Sequence, residues 1–482
     1  MKIINLLVVL SITASIFVGC DPSSPPSDVP KATLDPVSVK KYVAIGNSLT
    51  AGYQSNGLYQ SAQVYAFPNL IAKQLTLAGA QLGTFEMPWY SDPGTPDAVS
   101  GKAARYEIIS LVGPVIGPKG LTPGAPTNTA LARPYDNLGI PGAVLFDFLD
   151  TTAFAAKAVA PRSNPLFLLV LRQAALGKTI FAQARALQPD LVTFWLGNND
   201  VLGFATSGGV SPSAPTNSAI FAALYAQALD SLRTALPNAK IVVANIPDVR
   251  SIPFFNTIGP KVAPSIPAGV YLRYQKHGNV SVAFDSTKLT EAGAPLLCLT
   301  GSAYAALLGS PTGKWYRDRG VAPPAGIDTT KQFGFHPQNP WPDALTLDAS
   351  EQTTAGDAIA AFNSTIATVG AAKGAAVVDI NTFFKNIKAN GLSFGGVRYT
   401  ADYVSGGIFS LDGVHPSTRG AGVVANEFLR VINAKWGCSI PYVDLNTLPG
   451  IPAPVAKAAA GLPQIPPDAF GNLEMLWNGS AW

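Results

Sequence analysis

Lys41-Tyr-Val-Ala-Ile-Gly-Asn-Ser-Leu-Thr-Ala-Gly-Tyr53 indicates how this chain folds. Its first part, Tyr42 to Ile45, consists mostly of β-branched and aromatic residues and is typical of a short buried strand, and Gly46 then permits a tight turn. Further on, Ala66 to Leu75 has apolar residues at helical spacing. The stretch therefore predicts a strand–turn–helix unit with Ser48 at the carboxyl end of the strand, where α/β sheets bind ligands.

The alternation of strand and helix continues along the chain. Further strands are predicted at residues 191–196, 241–246 and 375–380, a strand end at 137–142, and helices at 165–187, 217–236, 350–372 and 420–435. Strands separated by helices predict a parallel sheet with helices on both faces. We expect a three-layer α/β/α sandwich around about five parallel strands.

The N-terminus has the pattern of an export signal. Met1-Lys2 precedes an apolar run from Ile3 to Val18, and Gly19-Cys20 follows it, as in a bacterial lipoprotein signal. An uncleaved anchor helix is the alternative, but the apolar run is short for a span of about 20 residues. Residues 1–19 are therefore expected to be a signal peptide. Acylated Cys20 would hold the exported protein at a bacterial membrane. The outer membrane is expected, with the protein on its periplasmic or its surface side.

The remaining chain is expected to form one domain with decorations. Residues 20–38 are rich in Pro and Ser and predict an extended tether, and 39–442 contain the α/β pattern. Two Gly/Pro-rich insertions interrupt that pattern at about 83–134 and 249–348, and 443–482 are expected to be a C-terminal tail. The second insertion is long and aromatic, which favours a lid or a small subdomain.

Composition argues against a nucleic-acid-binding protein. Charged residues make up 13% of the 482 residues, against about 25% in a typical protein, and the net charge is only +4. The sequence has no Lys/Arg run longer than two residues that could follow a phosphate backbone. Oligomeric state is left open by the sequence.

Two cysteines remain after Cys20. Cys298 and Cys438 are compatible with one disulfide in an exported chain, although the sequence alone does not place them within bonding distance. The pairing is a hypothesis that labelling of free thiols would test.

One histidine of the three has a carboxylate three residues before it, in Asp412-Gly-Val-His415-Pro416. Within one turn the Asp412 carboxylate can accept a hydrogen bond from one ring nitrogen of His415, so that the other nitrogen can take a proton from a serine hydroxyl. Taken alone, His415 could equally be a surface histidine, and Ser48 a turn hydroxyl that caps a helix. The three scattered histidines predict no metal cluster.

Four short motifs together resemble the four sequence blocks, in order, of the SGNH (GDSL) hydrolase family. They are Gly46-Asn-Ser-Leu-Thr-Ala-Gly-Tyr53, Asn137-Leu-Gly-Ile-Pro-Gly142, Gly197-Asn-Asn-Asp200 and Asp412-Gly-Val-His-Pro416. One departure is Asn47, which stands where the family usually has Asp before the serine. The resemblance implies a flavodoxin-like order of the parallel strands.

The resemblance also implies catalytic roles. Ser48 would be the nucleophile, His415 the general base and then acid, and Asp412 the residue that orients His415. The backbone N–H groups of Ser48 and Gly142 and the side chain of Asn199 would form the oxyanion hole. No metal or cofactor is implied.

The expected function is that of a serine esterase which hydrolyses carboxylic esters through an acyl-enzyme. The aromatic insertions favour a lipase or acyl-ester hydrolase, while a carbohydrate esterase that removes acetyl groups from glycans remains the alternative among enzymes. A non-catalytic binding protein on the same fold is the third possibility.

Two other motifs imitate known sites. Gly391-Leu-Ser-Phe-Gly395 fits the nucleophile elbow of α/β-hydrolases, but a helix-like segment precedes it where a strand is required. Gly309-Ser-Pro-Thr-Gly-Lys-Trp315 imitates a phosphate-binding loop, but it is one residue short and has Trp where Ser or Thr should bind magnesium. Neither motif is expected to be functional.

Overall fold

A computed structural model describes residues 32–151, 164–210, 214–276 and 280–478. Within these residues the central sheet has five strands, namely β1 (Tyr42–Gly46), β2 (Asn137–Gly139), β3 (Leu191–Trp195), β4 (Lys240–Ala244) and β5 (Ala376–Val378). All neighbouring pairs are parallel, in the order β5-β4-β3-β1-β2. This is the flavodoxin-like order, with the switch between β1 and β3. The predicted parallel sheet is confirmed.

Helices cover both faces of this sheet. Phe194 and Trp195 are consecutive residues of β3, so their side chains point to opposite faces. Phe194 contacts Tyr225, whereas Trp195 contacts Phe67 and Phe428. The sheet is therefore the middle layer of a three-layer sandwich.

The helices that form the two outer layers were largely predicted from periodicity. They are Phe67–Leu77 and Thr418–Trp436 on one face, and Ile180–Ala186, Ser218–Ala235 and Ala349–Ala372 on the other. Further helices are Ser48–Ala51, Gln60–Gln63, Leu166–Leu171, Asn199–Thr206, Pro253–Asn256, Ile258–Val262, Ser302–Ala305, Lys314–Asp318, Ile380–Asn390, Ala453–Ala458 and Gly471–Asn478. Among the described residues, none of these helices has both the length and the apolar character needed to span a membrane.

The single long helix predicted at 165–187 is wrong. The structure has two helices, Leu166–Leu171 and Ile180–Ala186, separated by a turn. Arg172 ends the first helix with φ 57°, Gly177 follows with φ 121°, and the Thr179 hydroxyl accepts a hydrogen bond from Ala182 N at the start of the second. Helical periodicity continued across the break, but the backbone conformation did not.

The insertion at 249–348 has a core of its own. It contains the antiparallel hairpin Tyr271–Lys276 with Val280–Asp285, and Trp341 is completely buried beside Phe333, with ring centroids 5.6 Å apart. A Cβ on Gly301 would lie 2.4 Å from the Trp341 ring, so glycine is required there. Most of the aromatic residues thus stabilise the insertion itself and are not free to line a substrate pocket.

Residues 443–478, which were expected to be a tail, are packed against the domain. The helix Gly471–Asn478 contacts the helix Asn199–Thr206, and Phe470 and Leu473 are buried. Tyr106, from the hairpin Tyr106–Ser110 with Val115–Pro118 in the first insertion, contacts the Phe470 ring edge-on. The C-terminal segment and the first insertion therefore meet on the domain surface.

The candidate disulfide is not formed, because Cys298 and Cys438 are both free and buried. Cys298 lies inside the second insertion, where its backbone N–H bonds Leu345 O. Cys438 follows the last long helix, and its thiol donates to Leu34 O at 3.2 Å. The two thiols belong to different parts of the fold, and burial raises the pKa of each.

Candidate active site

Ser48 begins a one-turn helix immediately after β1. The Asn47 side chain accepts a hydrogen bond from Leu49 N at 3.1 Å and so caps this helix. A Cβ on Gly46 would lie 2.0 Å from Thr50 Oγ1, so only glycine allows the helix to fold back so closely on the strand. Ser48 is held at the carboxyl end of β1 and is 5% exposed.

Asp412 and His415 form a buried pair on the loop before the last long helix. His415 Nδ1 lies 3.0 Å from Asp412 Oδ2. Asp412 Oδ1 accepts hydrogen bonds from the backbone N–H groups of Val414, at 2.9 Å, and His415, at 2.8 Å. The carboxylate is therefore fixed by its own loop as well as by the imidazole.

The environment of Asp412 favours its ionised form. Burial by itself would raise the pKa of this carboxyl, but the nearby His415 and the hydrogen bonds from His415 and Val414 outweigh burial and hold the pKa below its ordinary value. An ionised Asp412 favours the form of the neutral imidazole that has its proton on Nδ1.

A turn that the sequence motifs did not single out supports the same carboxylate. Asn56 N donates to Asp412 Oδ2 at 3.0 Å, and Asn56 is completely buried. The Tyr53 ring lies against the His415 ring, with centroids 4.8 Å apart. The only signal of this turn in the sequence is the dipeptide Asn56-Gly57, which is common in tight turns.

Asn199 and Gly142 follow β3 and β2 and are linked through Ala143. Asn199 Nδ2 donates to Ala143 O at 2.9 Å, which leaves its second amide hydrogen for another acceptor. Gly142 has φ 79°, and a Cβ there would lie 2.8 Å from Asn164 Nδ2 and 2.9 Å from Leu476 O. Among the described residues, no acceptor receives a hydrogen bond from the backbone N–H of Gly142 or of Ser48.

A cleft opens beside these residues. Ser48, Asn199 and His415 line it, whereas Asp412 lies behind His415 and Gly142 is not part of the lining. The rest of the wall is mainly apolar and includes Leu202, Val249, Ile252, Phe384, Phe409 and Val414. The second insertion contributes Val249 and Ile252 only.

The two motifs that resemble a nucleophile elbow and a phosphate-binding loop lie away from this cleft. Ser393 is exposed on Leu392–Phe394, one strand of a small antiparallel hairpin that follows the helix Ile380–Asn390. It has neither the preceding buried strand nor the following helix of a nucleophile elbow. Lys314 begins a five-residue helix and pairs with Asp318. Within the described residues, no three His, Cys, Asp or Glu side chains are grouped closely enough to bind a metal ion.

Comparison with known proteins gives one family. The family model described as GDSL-like Lipase/Acylhydrolase matches residues 42–286. A solved structure from Parabacteroides merdae ATCC 43184, named only provisionally as a GDSL-like lipase, aligns with 13% identity and a TM-score of 0.32 over 82% of this chain and 98% of that chain. No curated protein matches the chain.

Proposed function

Because the chain belongs to the GDSL-like lipase/acylhydrolase family, we propose that it is a serine esterase which hydrolyses carboxylic esters through an acyl-enzyme. The observation that carries the proposal is the buried Asp412–His415 hydrogen bond at the cleft that Ser48 and Asn199 line. Three separate parts of the chain contribute to this one place a nucleophile, a base, an orienting carboxylate and an amide donor. Such a set fits acyl transfer.

In this mechanism the Ser48 hydroxyl attacks the ester carbonyl while His415 takes its proton. The tetrahedral intermediate then collapses, the bond to the alcohol oxygen breaks, and His415 returns the proton to the departing alcohol. Water repeats the sequence on the acyl-enzyme and releases the carboxylic acid. Asp412, held by four hydrogen bonds, keeps its charge next to the imidazolium that forms transiently in each half of the reaction.

The negative oxygen of the intermediate would be stabilised by three donors. The backbone amides of Ser48 and Gly142 make no other hydrogen bond among the described residues, and Asn199 has one amide hydrogen left. Asn199 lines the cleft beside Ser48. Fixed donors of this kind are effective because they need no reorganisation as the charge develops.

The cleft wall favours an acyl ester as substrate. Leu202, Ile252 and Phe384 provide apolar surface next to Ser48, and an acyl chain gains free energy with each methylene that it buries there, about 0.8 kcal/mol. An acetyl group is too short to use this surface. We therefore place lipid-type acyl esters before acetylated glycans as the substrate class.

The proposal is tested by hydrolysis of p-nitrophenyl esters from acetate to palmitate. The wild-type protein is compared with Ser48→Ala and with Ser393→Ala, the serine of the imitating motif. We expect activity to be lost in Ser48→Ala only, and to be greater on longer chains. Loss in Ser393→Ala alone would refute the choice of nucleophile, and a wild-type protein without activity on any ester would favour a binding protein.

We further propose that the protein is exported and anchored through Cys20, on the basis of the signal pattern at 1–20, which lies outside the described residues. Growth of an expressing bacterium with labelled palmitate should give a labelled protein in the membrane fraction. A Cys20→Ala variant should take up no label. Equal labelling of both proteins would contradict the assignment.

A further inference from the structure

The turn at Ser55 and Asn56 is buried against the candidate active site. Both residues have positive φ, 49° and 66°, and the flanking Gln54 and Gly57 exchange two backbone hydrogen bonds of 3.0 and 3.1 Å. This is the backbone of a type I′ turn, a conformation that few side chains other than Asn and Gly adopt readily. The tip of the turn points into the protein, since Asn56 is 0% exposed.

Asn56 connects Asp412 to two distant segments. Its backbone N–H donates to Asp412 Oδ2 at 3.0 Å. Its side-chain Nδ2 donates to Ala104 O at 3.3 Å, in the first insertion, and to Ala469 O at 3.0 Å, in the C-terminal segment. Its Oδ1 accepts from the Tyr53 hydroxyl at 3.3 Å. Both amide hydrogens and the amide oxygen of Asn56 therefore have partners.

The adjacent residue binds the loop that carries Asp412. Ser55 N donates to Ser410 Oγ at 3.0 Å, and Ser55 Oγ accepts from Leu411 N at 3.3 Å. The turn and the 410–415 loop are therefore joined at three points. If the turn were displaced, both the Asp412 carboxylate and the 410–415 loop that carries it would move.

We propose that Asn56 is a positioning residue that acts through Asp412, and that the first insertion and the C-terminal segment hold Asp412 in place through it. This inference rests on the proposed function. Asp412 Oδ2 is the oxygen that receives both Asn56 N–H and His415 Nδ1, so the Asn56 amide fixes the rotation of the carboxylate that aims at the imidazole. Both the insertion and the C-terminal segment lie outside the residues that line the cleft.

Asn56→Gly is the informative substitution. Glycine adopts φ 66° without strain, so the turn can form while the side-chain hydrogen bonds to Ala104, Ala469 and Tyr53 are lost. The readout is the rate at which an alkyl fluorophosphonate labels Ser48. In that reaction the Ser48 Oγ–phosphorus bond forms, the phosphorus–fluorine bond breaks, fluoride leaves and His415 takes the serine proton. The labelling rate reports how strongly Ser48 is activated, and it can be measured even though the natural ester is not known.

We expect labelling to slow by about tenfold in Asn56→Gly, as small misplacements of reacting groups commonly cost at least this factor. In an Asp412→Ala background the same substitution should cause no further loss, because Asn56 acts only through Asp412. An equal loss in both backgrounds would show a merely structural role and overturn the proposal, and so would an unchanged rate in folded Asn56→Gly.

Tyr106→Phe is the matched control. The Tyr106 hydroxyl donates to Ala469 O at 2.8 Å, the same carbonyl that Asn56 binds, and not to Asp412. We expect Tyr106→Phe to lower thermal stability to a similar extent and to leave the labelling rate within twofold. A tenfold loss in this control would overturn the proposal.

A wild-type protein that is labelled at no serine would contradict the proposed function itself. A labelled wild type whose rate equals that of Asn56→Gly would contradict only the inference about Asn56.

Discussion

His415 Nδ1 lies 3.0 Å from Asp412 Oδ2, and neither side chain is more than 1% exposed. A carboxylate in such a place loses its hydration, so it stays ionised only where hydrogen bonds replace the lost water. Asp412 receives three backbone N–H groups in addition to the imidazole. The pair is therefore held in place before a substrate arrives, as the proposed general-base role of His415 requires.

Stability should depend on the charge of Asp412. Folding lowers the pKa of this carboxyl, so its contribution is present above the ordinary Asp pKa of about 3.9 and is lost as the pH falls through the lower, folded value. Asp412→Asn should reduce the free energy of unfolding at pH 7 by about 1–3 kcal/mol. The difference from wild type should shrink below about pH 3.9. Chemical denaturation at both pH values measures it.

Asp230→Asn is the control for that experiment. Asp230 is 54% exposed in its ion pair with Lys373, and exposed pairs contribute about 0–1 kcal/mol. We expect its substitution to change stability little at either pH. A difference for Asp412→Asn that grows on acidification would contradict the direction of the pKa shift.

Removal of the Asn199 amide should reduce turnover far more than binding. Asn199→Ala deletes one donor of the proposed oxyanion hole, and such a loss lowers kcat by about 10²–10³. KM should change little, because the ground-state carbonyl carries less charge than the intermediate. Steady-state kinetics on the preferred p-nitrophenyl ester, with thermal unfolding to verify the fold, tests this. A large rise in KM at constant kcat would point to a substrate-binding role instead.

Gly142→Ala should impair both stability and activity. At φ 79° an added Cβ is strained, and here it would also lie 2.8 Å from Asn164 Nδ2 and 2.9 Å from Leu476 O. We expect a loss of about 1–3 kcal/mol in unfolding free energy. We also expect kcat to fall by at least about tenfold, because the backbone donor at Gly142 is displaced.

Gly79→Ala separates the effect of backbone strain on stability from the effect of the displaced Gly142 donor on kcat. Gly79 has φ 102°, but an added Cβ would meet no atom within 4 Å. We expect this variant to lose stability through backbone strain alone and to keep its kcat. Equal losses of kcat in both variants would show that the Gly142 amide has no special role.

Phe384 should determine the preference for long acyl chains. It lines the cleft from the helix Ile380–Asn390, and its ring lies 5.7 Å from that of Phe409. Phe384→Ala removes apolar wall, so kcat/KM for palmitate or decanoate esters should fall by roughly tenfold relative to acetate, within the range known for hydrophobic pockets. The neighbouring Phe383 does not line the cleft, and Phe383→Ala should leave the ratio between chain lengths unchanged. A uniform loss across all chain lengths in Phe384→Ala would indicate damage to the fold.

Several local features were predictable because their cause lies within a few residues. The apolar run Tyr42–Ile45 forms β1, and the N-terminal positions of the long helices agree with the observed caps, such as Asn217 before Ser218. The helix predicted at 165–187 failed because apolar spacing is insensitive to a single residue, here Arg172, in the left-handed region. Periodicity predicts which face is buried, but not where the backbone turns.

Longer-range features were not predictable from the same patterns. The aromatic residues of the second insertion favoured an acyl-ester substrate, yet Trp341 and Phe254 are completely buried and do not line the cleft. Composition cannot distinguish an apolar pocket from an apolar core, because both need the same side chains. The C-terminal segment, with little periodicity, packs against the helix Asn199–Thr206 through contacts that only the folded chain provides.

By itself the sequence determined the α/β class, the positions of Ser48, Asn199 and His415 after strands or in the last loop, and the family to which they point. Only the tertiary structure decided that Cys298 and Cys438 remain apart, that the cleft wall comes from Leu202, Ile252 and Phe384, and that Asn56 holds Asp412. The physical reason is the range of the interactions. A strand, a turn or a cap is set by neighbours within a few residues, whereas the carboxylate of Asp412 is held by an amide 356 positions away in the chain.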